Sequence, residues 1–163
     1  MKKINIELIK KLRRETGVAI IRIREVLEEV MRDLPADATP QALQAGEKKA
    51  LTILKKEGLE KAEKRGGWET GQGKIFVYAH HTGKVVGLVE LLCETDFVAK
   101  NELFETLGKD IAMQVASMGE TELEKQEFIK DSSKKIGELI KEVIAKTGEN
   151  VRLGKVLRVE LGK

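Results

Sequence analysis

The hydrophobic pattern of this 163-residue chain changes its period near residue 74. Before that point apolar residues recur every three to four positions, as in Ile23, Val26 and Val30, which is the spacing of a helix that buries one face. From Lys74 onward, apolar and polar residues begin to alternate, as in a strand. The chain is therefore predicted to have a helical N-terminal part and a second part that contains a sheet.

Three helices are predicted in the first sixty residues. The first ends at Gly17, because glycine readily takes the left-handed conformation that closes a helix. The second ends at Pro35. Thr39 and Pro40 have the residue types of an N-cap and a first helical position, and they begin a third helix that closes at Gly58. These helices predict a small bundle, residues 1–60.

Residues 61–73 are predicted to be a linker to a second domain, residues 74–163. Their Lys- and Glu-rich start can continue the third helix, but paired glycines at 66 and 67 and further glycines at 71 and 73 interrupt regular structure. Trp68, in the middle, is interpreted as covering a seam between domains rather than binding a ligand.

The second domain is predicted to be β-β-α-α-β, an α+β arrangement in which a three-stranded sheet is backed by helices. A strand from Lys74 and a strand over 85–93 form a hairpin, so this pair is antiparallel. The second strand is apolar on both faces and is predicted to be central and covered on both sides. Helices follow over 101–118 and 132–146, then a strand from Val151 whose direction the sequence leaves open.

Charge and composition exclude several classes of function. The 30 Lys and Arg side chains are interleaved with 27 Asp and Glu, and there are only four Phe, one Tyr and one Trp, so direct nucleic-acid binding is not expected. No apolar run approaches the roughly 20 residues that span a bilayer, so no membrane contact is expected. A single cysteine and an N-terminus unlike a signal peptide predict a cytoplasmic protein.

The chain has few candidates for catalysis. His80 and His81 are adjacent at the hairpin turn, and if they lay in a strand they would point to opposite faces. Cys93 ends a central strand and is interpreted as a small buried apolar residue. Neither a phosphate-binding glycine loop nor a metal-ligand cluster is visible. We therefore expect no catalytic residue, no metal, no cofactor and no enzymatic activity.

The segment between the second strand and the next helix is the most informative. Asn101 is a suitable N-cap, which places Asp96 and Phe97 in a surface connection. Phe97 has two interpretations that the spacing does not separate. It either packs with Val98 against the first turn of the helix as a hydrophobic staple, or it protrudes as an apolar wedge that enters a partner.

Several segments resemble the elongation factor Ts family, the bacterial nucleotide-exchange factors for elongation factor Tu. TDFVAKNELF at 95–104 closely resembles the signature of that family. LIKKLRRETG at 8–17 is similar to its first helix and turn, and FIKDSSKKIGELIKEVIAKTGENV at 128–151 is similar to its C-terminal part. The resemblance covers most of the chain in the expected order.

The resemblance implies a fold and a function. It implies a three-helix N-terminal domain of the ubiquitin-associated type and a core of antiparallel strands and helices. It also implies that the chain binds elongation factor Tu, both GDP-bound and nucleotide-free, and promotes GDP release near the bound magnesium ion. The family positions fall on two groups of residues in this chain: the core loop Thr95, Asp96, Phe97 and Val98, with Phe97 as the wedge, and the N-terminal docking positions Arg13, Ile20 and Ile21.

Residues 119–127 are much shorter than the corresponding part of longer family members, which carry extra helices or a second core. Short members resemble half of the longer molecule and tend to pair, so a homodimer formed through an exposed apolar sheet face is expected. Two other functions remain open: a relative that binds the partner without exchange activity, and an RNA-binding module.

Overall fold

The computed structural model describes residues 5–35 and 38–163. Contacts between residues divide the chain into two compact units, 1–61 and 62–163. Each unit has its own hydrophobic core. Among the described residues, no helix is both long enough and apolar enough to cross a membrane.

The first unit is built from three helices, α1 (Ile6–Thr16), α2 (Ile20–Arg32) and α3 (Pro40–Arg65). Gly17 has φ 69° and donates its N–H to the carbonyl of Arg13, so the predicted end of α1 is confirmed. The predicted start of α3 is confirmed by Thr39 Oγ1, which accepts a hydrogen bond from the N–H of Ala42 at 3.3 Å. One apolar face of each helix forms the core, made of Ile9, Leu12, Ile23, Val26, Leu27, Val30, Ala50 and Leu54.

The predicted end of the third helix at Gly58 is wrong, because α3 continues to Arg65. A glycine inside a helix costs about 1 kcal/mol relative to alanine, and the strong helix formers that follow Gly58 offset this cost. Ala62 is 3% exposed and belongs to the core of the second unit. Of the predicted linker, 61–73, only residues 66–71 lie outside regular helix and strand.

The second unit contains a three-stranded antiparallel sheet in the order β1–β2–β5, with β1 Gln72–Ala79, β2 Val85–Cys93 and β5 Val151–Glu160. The bounds predicted for β2 and its central position are confirmed. The pairs Val77↔Leu88 and Leu88↔Leu157 set the register of the two ladders. A bulge at residues 154–155 of β5 lies opposite Glu90, whose Oε2 accepts the N–H of Lys155 at 2.9 Å.

Helices cover one face of this sheet. They are α4 (Asp96–Ala99), α5 (Glu102–Met118) and α6 (Ile136–Thr147), with a 3₁₀ turn at Leu123–Lys125. Asn101 caps α5 by accepting the N–H of Leu103 at 2.8 Å, as predicted. The core between helices and sheet includes Phe76, Val89, Leu91, Phe104, Ile111, Val115, Ile136 and Val151. The predicted α+β fold is confirmed.

The predicted start of the last helix at residue 132 is wrong. Two short strands, β3 (Glu127–Phe128) and β4 (Asp131–Lys135), form a separate hairpin before α6 begins at Ile136. Asp131 Oδ1 accepts both the N–H and the hydroxyl of Ser133, which stabilises a turn in place of a first helical turn.

The opposite face of the sheet is not covered within residues 62–163, so the predicted coverage of β2 on both sides is wrong for this unit. Val77 and Leu157, on the strands that flank β2, are 60% and 50% exposed, and between them Leu88 is half-buried. Ile75 and Val159 are also more than half exposed. We call these five residues the outer sheet face.

Gly87 allows α5 to lie directly on the central strand. A Cβ atom at this position would lie 2.2 Å from the carbonyl oxygen of Ala112 and 2.6 Å from the backbone nitrogen of Ala116. Both neighbours are backbone atoms of α5, so no side-chain rotation relieves the overlap. The distance between α5 and β2 therefore depends on a residue without a side chain.

We expect Gly87→Ala to lower the free energy of unfolding by about 1–3 kcal/mol, since overpacking forces α5 away from the sheet. Trp68 is the only tryptophan and lies in the second unit, so its fluorescence during urea unfolding is the measurement. Gly71→Ala is the matched control, because nothing lies within 4 Å of a Cβ atom there. An equal midpoint for both variants would contradict the importance of this contact.

Candidate functional site

Residues 95–98 form the cap and most of a one-turn helix, α4, rather than an irregular connection. Thr95 is its N-cap, and its hydroxyl accepts the N–H of Val98 at 3.4 Å. Val98 and Ala99 are buried, whereas Phe97 is 81% exposed. The staple interpretation of Phe97 is therefore wrong, since only Val98 packs inward. Phe97 is an exposed aromatic ring on a turn anchored by its neighbours.

Thr95 is held by every polar group it has. Its N–H donates to Glu149 Oε2 at 3.0 Å and its hydroxyl donates to Glu149 Oε1 at 2.7 Å. Its carbonyl oxygen accepts the N–H of Ala99 at 3.2 Å and the thiol of Cys93 at 3.1 Å. A single helical turn is not stable alone, so these bonds define where α4 begins.

The residues next to this pair make a parallel set of contacts. The N–H of Asn150 donates to Glu94 Oε1, and the side-chain amide of Asn150 donates to the carbonyl oxygen of Trp68 at 2.8 Å. Arg65 lies 3.6 Å from Glu94 and places its guanidinium 4.5 Å from the centre of the Trp68 ring. Residues 149–150 thus bind the segment that leads from β2 into α4.

Asp96 carries the charge beside Phe97. Its Oδ2 accepts a hydrogen bond from Lys100 Nζ at 2.7 Å, one helical turn away. This bond and the positive charge of Lys100 lower the pKa of the Asp96 carboxyl. The carboxylate is exposed and stays ionised well below neutral pH.

The N-terminal candidate residues flank the turn between α1 and α2. Arg13 lies in the last turn of α1, while Ile20 and Ile21 are the first two residues of α2. All three are exposed, and Ile21 is 74% exposed. Two exposed apolar side chains therefore lie at the start of α2, close in sequence to an exposed basic residue.

The residues considered for catalysis lie in two places, His80 and His81 between β1 and β2 and Cys93 at the end of β2. His80 and His81 follow the end of β1 rather than lying in a strand, so the strand geometry that would point them to opposite faces does not apply, and their ring centroids are 4.1 Å apart. Cys93 is buried as predicted, and burial raises the pKa of its thiol, an effect to which the Glu149 carboxylate adds. Among residues 5–35 and 38–163, no three His, Cys, Asp or Glu side chains are grouped to hold a metal ion.

Comparisons with known proteins agree with the resemblance in the sequence. Residues 94–163 match the family model for elongation factor TS, and this stretch includes α4 and both residues 149 and 150. Elongation factor Ts of Leptospira biflexa is 36% identical over an alignment of 204 residues that covers 96% of each chain. The chain belongs to the elongation factor Ts family. It is therefore related throughout its length to translation elongation factors.

Two further relatives support the same conclusion. Elongation factor Ts of Thermotoga maritima is 34% identical, with 98% of this chain and 97% of the relative covered, and that of Thermotoga neapolitana is 33% identical, with 98% of each covered. These alignments span 206 residues, which is more than the 163 of this chain. The elongation factor Ts relatives therefore carry insertions that this chain lacks.

Sequence reasoning missed Glu149 and Asn150 as part of the site. They are 54 and 56 residues from the partners they bind, Thr95 and Glu94, so no local spacing connects them. A signal was nevertheless present. Gly148 ends α6 with φ 76°, and a polar pair directly after such a turn is a candidate for contacts outside the helix.

The pKa of Asp96 provides a test of this geometry. We expect Lys100→Met to raise this pKa toward the ordinary value of about 3.9, measured by carbon-13 NMR titration of the carboxyl group. Because the folded-state pKa is depressed, the contribution of Asp96 to stability is present above the unfolded pKa and disappears as pH falls through the folded value. Lys109→Met is the control, and an unchanged Asp96 pKa in Lys100→Met would contradict the ion pair.

Proposed function

We propose that this chain is a guanine-nucleotide exchange factor that binds GDP-bound elongation factor Tu and accelerates release of GDP. Membership of the elongation factor Ts family supports the partner. The observation that carries the mechanism is the 81% exposure of Phe97 on an anchored turn. The chain then acts in the cytoplasm, and it is not an enzyme, since exchange makes and breaks no covalent bond.

Phe97 is suited to act as a wedge. Burying an aromatic ring that was exposed contributes about 2–3 kcal/mol, and this free energy is gained only when the helices of the partner separate to admit it. Val98 and Ala99 are buried in this chain, so their packing holds the helical turn in place while the Phe97 ring inserts between the partner's helices. Asp96 adds a negative charge next to the ring.

Separating the partner's helices weakens its grip on the nucleotide. GDP is bound through backbone N–H groups around its phosphates and a magnesium ion that offsets their charge. A small displacement of the elements that support those ligands weakens both kinds of contact. The effect is reciprocal: if the chain lowers the affinity for GDP, bound GDP lowers the affinity for the chain by the same factor.

The first unit is proposed to be a docking module of the ubiquitin-associated type. Arg13, Ile20 and Ile21 are exposed around one turn and are the residues by which it would bind the nucleotide-binding domain of the partner. Docking by this unit supplies affinity, whereas α4 of the second unit supplies the displacement. Affinity and exchange rate are then separable by mutation.

We expect Phe97→Ala to reduce the rate of GDP release by roughly 30-fold or more, the equivalent of about 2–3 kcal/mol of lost burial. The measurement is release of a fluorescent GDP analogue from elongation factor Tu with the chain at substoichiometric concentration. Ile129→Ala is the matched control, because Ile129 is 42% exposed in the same unit but lies on the β3–β4 hairpin.

The outcomes separate the alternatives. Fast release by the wild type and by Phe97→Ala alike would retain exchange but contradict the wedge. Binding without any acceleration would indicate a relative that has lost exchange activity. RNA binding that weakens steeply with salt, in the absence of binding to elongation factor Tu, would favour the RNA-binding module.

We also propose that the chain forms a homodimer through the outer sheet face. Its five apolar residues lie on adjacent rungs of all three strands, and soluble monomers rarely leave large contiguous apolar patches exposed. A two-fold interface uses the same patch on both copies, so an apolar face would there be buried against an apolar face. The carboxylate of Glu90, the charged residue of β2 at this face, accepts the N–H of Lys155 and is therefore already paired.

Light scattering at micromolar concentration is expected to report twice the mass of the 18.2 kDa chain. Leu157→Glu introduces a charge beside Leu88 at the centre of the face and is expected to yield a monomer. Leu161→Glu is the control, since Leu161 is 75% exposed and lies beyond the end of β5. A wild-type mass near that of one chain would refute the dimer.

A further inference from the structure

The geometry points to Glu149 as a positioning residue for nucleotide exchange: its carboxylate clamps Thr95 and thereby holds Phe97 in the orientation that enters the partner. This inference rests on the proposed exchange function and adds a residue outside the 95–98 segment to it. It depends on the pair of hydrogen bonds from Thr95 to Glu149, at 2.7 and 3.0 Å.

The clamp acts at the point where the direction of α4 is set. Thr95 is both the last residue before α4 and its N-cap, so fixing its N–H and hydroxyl fixes the first turn. Phe97 is only two residues away and is 81% exposed, so packing contributes little to fixing its ring. The orientation of its ring therefore follows from the backbone around Thr95.

Glu149 is itself held in place. It follows Gly148, whose left-handed conformation reverses the chain at the end of α6, and its N–H donates to Thr147 Oγ1 at 3.4 Å. The next residue, Asn150, is 2% exposed and donates to Glu94 and to the carbonyl oxygen of Trp68. The carboxylate is thus presented to Thr95 from a fixed backbone, which a long surface side chain on a free loop would not achieve.

A fixed wedge lowers the entropic cost of inserting Phe97 into a partner on which the first unit has already docked. A one-turn helix without its clamp samples several backbone conformations, and the partner must select one of them. We expect Glu149→Ala to lower the limiting rate of GDP release by about tenfold, the effect of losing hydrogen bonds to a charged acceptor. The concentration of the chain that gives half of the limiting rate should change by less than twofold, because the first unit, which is proposed to supply affinity, is unaltered.

The experiment uses the full chain and fluorescent-GDP-bound elongation factor Tu. Glu149→Gln keeps one carbonyl oxygen as acceptor. With this variant, elongation factor Tu is expected to release GDP at a rate between those seen with the wild type and with Glu149→Ala. Glu142→Ala is the matched control: it removes the same functional group from α6, where it pairs with Lys134 at 2.7 Å. With this control, GDP release from elongation factor Tu is expected to be as fast as with the wild type.

A merely structural role is separated by two readouts. Amide hydrogen exchange should speed up at Thr95 and Val98 in Glu149→Ala while remaining slow at Val89 in the core of β2. In a double-mutant cycle with Phe97→Leu, the Glu149 effect should largely disappear, since it acts through the ring. A global loss of stability would instead accelerate amide hydrogen exchange throughout the second unit. In the double-mutant cycle, its effect on the rate of GDP release would add to that of Phe97→Leu.

Each result decides the matter. A wild-type rate in Glu149→Ala, with Phe97→Ala impaired, overturns the role of Glu149 and leaves the proposed function intact. Additive effects of Glu149→Ala and Phe97→Leu overturn action through the ring. A wild-type chain that fails to accelerate release overturns the proposed function itself, and with it this inference.

Discussion

The close contact between α5 and the central strand supports the rest of the second unit. At Gly87 the backbone of α5 approaches β2 so closely that a single added carbon would overlap Ala112 and Ala116. This contact brings the apolar side of α5 onto the sheet, where Val89, Ile111 and Val115 are completely buried. Since β2 is also paired on both edges, its end at Cys93 is held in position. The position of α4, which begins three residues later, depends on that strand end.

From this fixed strand the chain presents an exposed aromatic ring. Because Phe97 is exposed, the chain does not gain the free energy of burying its ring. The helical turn that carries it is stabilised by the buried residues Val98 and Ala99 and by the hydrogen bonds of Thr95 to Glu149. This arrangement supports the proposal that Phe97 is kept available for a partner. At the start of α2, Ile21 is likewise exposed although Ile23 is fully buried.

The two faces of the sheet are proposed to have different tasks. One face carries the helices and thereby positions α4, whereas the outer sheet face is proposed to contact a second copy of the chain. Phe97 lies beyond the end of β2 rather than on either face. The residues proposed for the partner and those proposed for the dimer are therefore different, so one surface can be mutated without altering the other.

The sequence by itself determined the elements whose signals are local. The end of α1 at Gly17, the bounds of β2 and the cap of α5 at Asn101 follow from one or two residues and their neighbours, and the family was recognisable from the 95–104 segment. Tertiary structure decided the rest. The continuation of α3 through Gly58 depends on strong helix formers outweighing one glycine. The exposure of Phe97 depends on the packing of its neighbours Val98 and Ala99 into the core. The contact of Glu149 with Thr95 joins residues 54 apart, and only the pairing of β2 with β5, in which Cys93 lies opposite Val151, brings them within hydrogen-bonding distance.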